Sequence, residues 1–275
     1  MRNLLSAECF RLRKSRLFWA VLFAYILLSV SIIWDNAQAQ RNGYEVYLED
    51  IYFQFAILLG FFLAGFLPLH IGVDYSDGSL RNKCIAGHSR ASIYLSVLSA
   101  AIFSSLILCV ATIAVNSLLG LSLLGGFQLE APQLIMMLLA SLLLCLAYSS
   151  QHVMLSMLIS NRAVCAVTSL VLVIAMSLLV GKLDSMLRQA EIARDMIALV
   201  DGKPVFSDPY PNPLYVSGLK RTIYEFLYDF FPIGQGAQLS NLEAERLTRF
   251  PALSLLFTLL TTGVGLLAFS RKDIK

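Results

Sequence analysis

Six apolar runs, each close to the length of a bilayer crossing and separated by polar stretches, limit this chain more than any other property. They cover residues 17–34, 51–73, 93–119, 133–159, 163–180 and 251–269. A hydrocarbon core takes about 20 apolar residues per spanning helix. Inside it, every backbone N–H and C=O must find a partner within the same segment, which an isolated strand cannot supply. The sequence therefore predicts an all-α integral membrane protein with six transmembrane helices in one domain, 1–275. Composition agrees, with 57% of residues hydrophobic and 14% charged, against roughly 25% charged in an ordinary soluble domain.

Orientation follows from the basic residues, because loops rich in Lys and Arg stay on the cytoplasmic side. One set of polar stretches holds Arg2, Arg11, Arg13, Lys14 and Arg16, then Arg81, Lys83 and Arg90, then Arg162, and finally Arg271, Lys272 and Lys275. Only Glu8, Asp74, Asp77 and Asp273 oppose them. The alternate stretches are acidic or mixed, with Asp35, Glu45, Glu49 and Asp50 against Arg41 in the first and Glu130 alone in the second. Both ends are expected in the cytosol. The first run is longer than the 7–15 residues of a signal-peptide core and ends in Trp34, so it reads as an anchor. Five cysteines with none in the long polar loop imply no disulfide framework. Basic residues without interleaved aromatics give no nucleic-acid surface.

Three polar segments carry further pattern. In 1–16, Leu5, Cys9 and Leu12 share one helical face while Arg11, Arg13, Lys14 and Arg16 crowd the rest, as in a helix lying in the headgroup plane. It is expected to lead into the first span as an elbow. In 74–92, Ser79 can cap a short helix that continues through Ala86 and stops at Gly87.

Residues 182–250 hold eight basic and nine acidic side chains and cannot span. Met186, Ala190, Ala193, Ile197 and Val200 follow an i, i+4, i+7 spacing that predicts an amphipathic helix. Asp201-Gly202 marks a tight turn, and Pro204, Pro209, Pro211 and Pro213 an extended crossing. A second amphipathic helix is predicted over 217–231, with Leu219, Ile223, Phe226, Leu227 and Phe230 on one side. Pro232 and Gly234 should end it, and Ser240 with Glu243 forms a capping box opening a helix into the sixth span. The whole of 181–250 reads as a helical cap on the outer leaflet.

Catalytic chemistry is not assigned. No G-x-x-x-x-G-K-[ST] loop is present, since Gly181-Lys182 and Gly202-Lys203 lack the upstream glycine and the following hydroxyl. His70, His88 and His152 are far apart, and no metal-ligating or nucleophile-elbow spacing occurs. Polar residues inside spans are costly and mark functional candidates. Asn116 in the third span and Gln151 with His152 in the fourth are the substrate-path candidates, although each also fits a helix-to-helix hydrogen bond.

Four strings together resemble bacterial ABC (ATP-binding cassette) type-2 transporter permeases: AECFRLRKSRLFW, DYSDGSLRNKCIAGHSRASIYLS, PNPLYVSGLKRTIYEFLYDFFPIGQ and the terminal FSRKDIK. The resemblance implies the transmembrane subunit of an exporter in the bacterial plasma membrane. It would pair with a second permease, the same or different, and with separate ATP-binding subunits that hold ATP and Mg, leaving this chain without a cofactor of its own. Residues 74–92 would be the coupling loop, with Asp77, Leu80, Arg81, Lys83, Ile85, His88 and Arg90 binding the ATPase. The outer segment would cap the exit. An antimicrobial peptide, a drug or another amphipathic molecule is the implied cargo. The residues alone leave open an intramembrane enzyme using His70 or His152, and a membrane sensor or scaffold that transports nothing.

Overall fold

The computed structural model describes residues 2–194, 196–200, 203–242, 244 and 246–273. Six helices in it are long and apolar enough to cross a membrane, as in an all-α multi-pass membrane protein. They are α2 (Arg16–Arg41), the broken pair α3 (Leu48–Tyr52) and α4 (Phe55–Ser76), α6 (Arg90–Leu123), α7 (Ala131–Leu158), α8 (Arg162–Leu187) and α11 (Phe250–Arg271). Before them stands α1 (Arg2–Lys14), and α5 (Ser79–Ile85) lies between the second and third spans. Between the fifth and sixth come strands β1 (Ile192–Ala193), β2 (Met196–Val200), β3 (Lys203–Phe206) and β4 (Tyr210–Pro211), then α9 (Gly218–Phe230), α10 (Pro232–Ser240) and a 3-10 turn, Leu247–Arg249.

Several helices outrun the apolar runs. α2 continues through Asp35 to Arg41, and α8 through Lys182 to Leu187, because backbone hydrogen bonding persists where hydrocarbon ends. The helices also differ in burial: 56% of the most apolar window of the second span is buried, against 22% in the first and 28% in the fifth and sixth. The second span is therefore the hub, and the outer three present Phe23, Leu27, Val167, Leu178, Leu259 and Leu267 to their surroundings, as helices facing lipid do.

Four expectations are corrected. The buried stripe of α1 is Leu4, Glu8 and Leu12, while Leu5 is exposed; the Glu8 carboxylate turns inward to reach cations. α5 is capped by Gly78 in the left-handed region (φ 67°), so Ser79 is its first residue and its hydroxyl donates back to the Asp74 carbonyl, 3.4 Å. Gly87 (φ 85°) does end that turn.

The helix expected over 186–200 is replaced after Leu187 by antiparallel pairs. β1 pairs with β4 and β2 with β3, so the prolines of 204 and 211 sit in returning strands; Asp201-Gly202 lies outside the described residues. Ile and Val favour the pleated chain once a second segment pairs with it.

Pro232 does end α9, but it also opens α10, where proline is tolerated in the first turn. α10 is buried along most of its length, and Ser240 is its last residue rather than a cap, donating to the carbonyls of Gly236 (2.7 Å) and Phe53 (3.1 Å). A Cβ at Gly236 would meet Tyr148 Oη at 2.9 Å and the Ala56 carbonyl at 3.0 Å, so this close approach to α4 and α7 needs glycine. Glu243 lies outside the described residues.

Candidate functional site: the charged end of the bundle

One end of the bundle gathers α1, the C-terminal ends of α4, α7 and α11, and the short α5. Here Glu8 and Asp74, each 2% exposed, are shared by Arg11 and Lys83. Arg11 Nη2 lies 2.8 Å from Glu8, and its Nη1 pairs with Asp74. Lys83 Nζ lies 2.5 Å from Glu8 Oε1 and 3.0 Å from Asp74 Oδ2. Two cations and two carboxylates thus close a neutral quartet that fastens α1 and α5 to α4. Burial pulls the Arg11 guanidinium below its ordinary value, opposed by Glu8 and Asp77.

Around the quartet, helix ends are tied by side chains. Arg90 Nη1 donates to the carbonyls of Phe269 (3.1 Å) and Lys272, satisfying the last turn of α11. Lys272 Nζ donates to Tyr75 Oη (2.9 Å) and the Met157 carbonyl (3.0 Å), and Tyr75 Oη donates to that same carbonyl at 2.6 Å. A cation at a helix C-terminus is favourable because it faces free carbonyls and the negative end of the dipole. Burial draws Lys272 below its usual range.

The residues singled out around α5 therefore divide. Leu80 is 1% exposed and packs inward, so it is not on the outward face; Lys83 and Arg90 serve the protein's own interior. Arg81 and Asp77 are exposed, Ile85 is 73% exposed, and His88 is half-buried. Glu8, Arg11 and Asp74 were legible only as charges that set topology. Their pairing spans 75 residues between Glu8 and Lys83, and no local spacing signals it.

The three candidates inside spans are separate from this end. Asn116 Nδ2 donates to the Tyr52 carbonyl, 3.0 Å, bridging α6 to the end of α3. His152 Nδ1 lies 2.6 Å from Ser169 Oγ, joining α7 to α8, and both side chains are fully enclosed. Gln151, 3% exposed, makes no side-chain hydrogen bond among the described residues. The structure does not bring the three into one cavity. Among the described residues, no group of three or more His, Cys, Asp and Glu side chains is placed to hold a metal ion.

A second polar assembly, missed in the sequence, lies at the opposite end, where α8 to α11 meet. Asp229, 2% exposed, accepts from Gln238 Nε2 at 3.2 Å and faces Arg246 Nε at 3.1 Å. Arg246 also reaches Glu225 (2.5 Å), which Arg221 approaches from one helical turn away at 3.0 Å. Tyr228 Oη donates to Asp184, 3.0 Å. Of these groups, Asp184, Arg221, Glu225, Tyr228, Gln238 and Arg246 line a cleft of about 390 Å³. Burial raises Asp229 above its ordinary value, against the opposing pull of Arg246. Burial also works against Glu225, but Arg246 and Arg221 outweigh it and hold that carboxylate low. Compared with known proteins, the chain matches no family model and no curated protein.

Proposed function

We propose that this chain is the transmembrane permease subunit of an ATP-binding cassette exporter, with both ends in the cytosol, driven by a separate ATPase and paired with a second permease. The observation that carries the proposal is α5. A seven-residue helix between two spans serves no purpose as a tether, yet it is held rigidly by the buried quartet and by Leu80 while presenting Arg81, Asn82 and Ile85 outward. A short helix fixed in this way passes a push from a docked partner into α1 and α4 without bending. In this role it is the coupling helix, α1 is the elbow, and β1–β4 with α9 and α10 form the outer cap.

Free energy reaches the bundle through that contact, since closure of a nucleotide-bound partner can bias a helix assembly with two arrangements. Cargo of amphipathic character, such as a peptide or drug, suits the apolar helices. The docking face is Arg81 and Ile85, not Leu80. The full chain coexpressed with a Walker-motif ATPase is expected to copurify with it. Ile85→Asp combined with Arg81→Glu should reduce recovery of the ATPase at least about tenfold and abolish transport into sealed vesicles, with the fold retained. Unchanged recovery would sink the proposal. An intramembrane enzyme would have to use His70 or His152, and the His152–Ser169 pair exposes no surface; transport retained when both histidines are changed to alanine separates the two.

A further inference from the structure

Next to the quartet, a pocket of about 350 Å³ opens between the last turn of α1 and α4, lined by Phe10, Arg11, Lys14, Ser15, His70 and Val73. Phe10 and Val73 give it apolar walls, and Arg11, Lys14, Ser15 and His70 supply hydrogen-bond donors. Arg11 is committed to Glu8 and Asp74, so the quartet contributes no net charge. Lys14 makes no ion pair among the described residues, and its Nζ lies 4.5 Å from the Phe10 ring centroid. The His70 ring stacks on Phe66, with centroids 5.3 Å apart, and its nitrogens have no hydrogen-bond partner among the described residues. Ser15 Oγ accepts from the Phe18 amide at 3.2 Å, which leaves its proton to donate. The carboxylates within reach, Glu8 and Asp74, are saturated by Arg11 and Lys83, and Asp77 is exposed beyond them.

Depth is set by the corner where α1 meets α2. Trp19, 53% exposed, donates from Nε1 to the Arg13 carbonyl at 2.9 Å, between exposed Arg13 and Arg16. Tryptophan flanked by cations marks the boundary between headgroups and hydrocarbon. Phe10 and Phe23, 59% and 69% exposed, extend the apolar surface beside it.

We infer that this pocket binds the headgroup phosphate of an anionic phospholipid, with Lys14, His70 and Ser15 donating to its oxygens and the acyl chains lying on the exposed aromatics of α1 and α2. The inference rests on the six helices crossing a bilayer and not on the exporter proposal. A lipid seated here would brace α1, and through the quartet α5.

The test is native mass spectrometry of the full chain released from detergent, titrated separately with phosphatidylglycerol, phosphatidylcholine and inorganic phosphate. Phosphatidylglycerol should bind at least about fivefold more tightly than phosphatidylcholine, and Lys14→Gln should weaken it about fivefold. Arg13→Gln, outside the pocket, should change it less than about twofold, while Val73→Trp should block binding with every charge kept. Should Val73→Trp fail to fold, the contrast between Lys14→Gln and Arg13→Gln decides alone. Equal binding of the two lipids, or equal loss from the two charge variants, would reduce the pocket to a diffuse cationic surface and overturn the inference. Displacement of phosphatidylglycerol by inorganic phosphate would assign the pocket to a soluble anion and overturn it as well.

Discussion

At the α5 end, two carboxylates and two cations close on one another, whereas at the opposite end Glu225 is shared by two arginines and Asp229 is reached by only one of them. The first arrangement encloses both of its carboxylates, Glu8 and Asp74, almost completely, whereas in the second only Asp229 is enclosed and Glu225 borders an open cleft. A buried charge whose partner is removed stays uncompensated in a poor solvent, while pairs wetted by a cleft are screened and individually weak. The α5 end is thus held in one geometry. The far end rests on one pair, Arg246 with the enclosed Asp229, and on weaker contacts where Glu225 borders the cleft.

Removing one member of the enclosed quartet is the strongest way to break this contrast. Asp74→Asn leaves Arg11 and Lys83 with Glu8 alone, and the folded chain should lose about 3 kcal/mol, measured by denaturant unfolding in a fixed detergent. α1 should also become accessible to protease while the helical content of the spans is retained. A loss below about 1 kcal/mol would place both ends on the same footing.

The sequence exposed the spans because a bilayer demands a long apolar run, and such runs are visible without any partner. It did not expose their ends: Asp35 to Arg41 are mostly polar, yet nothing stops the helix until Gly43 takes φ 91°. Residues 186–200 failed for a different reason. Met186, Ala190 and Ala193 do recur with helical period, but the state of Ile197 and Val200 is decided by the returning strand at Lys203–Phe206, and periodicity sees only one segment. The quartet failed likewise. Glu8 and Asp74 looked like stray acids in basic stretches, since a pair far apart in sequence leaves no local trace.

An intermediate effect should come from Arg246, whose charge faces both Glu225 and the enclosed Asp229. Arg246→Gln should cost about 1.5 kcal/mol at neutral pH, between the buried and exposed limits, and it should also change the pH dependence. Asp229 sits above its ordinary 3.8 in the folded chain, so the folded state takes up its proton more readily than the unfolded one. Stability therefore rises as pH falls from neutral through the raised value, and stops rising below 3.8. Glu225, held below 4.5, gives up its contribution only under that pH. Loss of Arg246 removes a charge that lowers Asp229, so the gain on acidification should become steeper and begin at higher pH. Unfolding free energies measured from pH 7 down to pH 4.5 that run parallel in the two proteins would disconnect Asp229 from Arg246.

The smallest effect should come from Arg221, which meets Glu225 one helical turn away with its side chain 36% exposed. Screening and side-chain entropy leave such a pair about 0.3–0.5 kcal/mol, so Arg221→Gln should stay within that range. Arg246, 2.5 Å from Glu225 in the unsubstituted chain, should still hold that carboxylate in this variant. The decisive comparison is the double variant Arg221→Gln/Arg246→Gln. If the two arginines back each other up on one carboxylate, the second loss should cost more than the first, because Glu225 then loses both of the cations that reach it. Strict additivity would mean that the two arginines contribute independently and are not coupled through their shared carboxylate, Glu225.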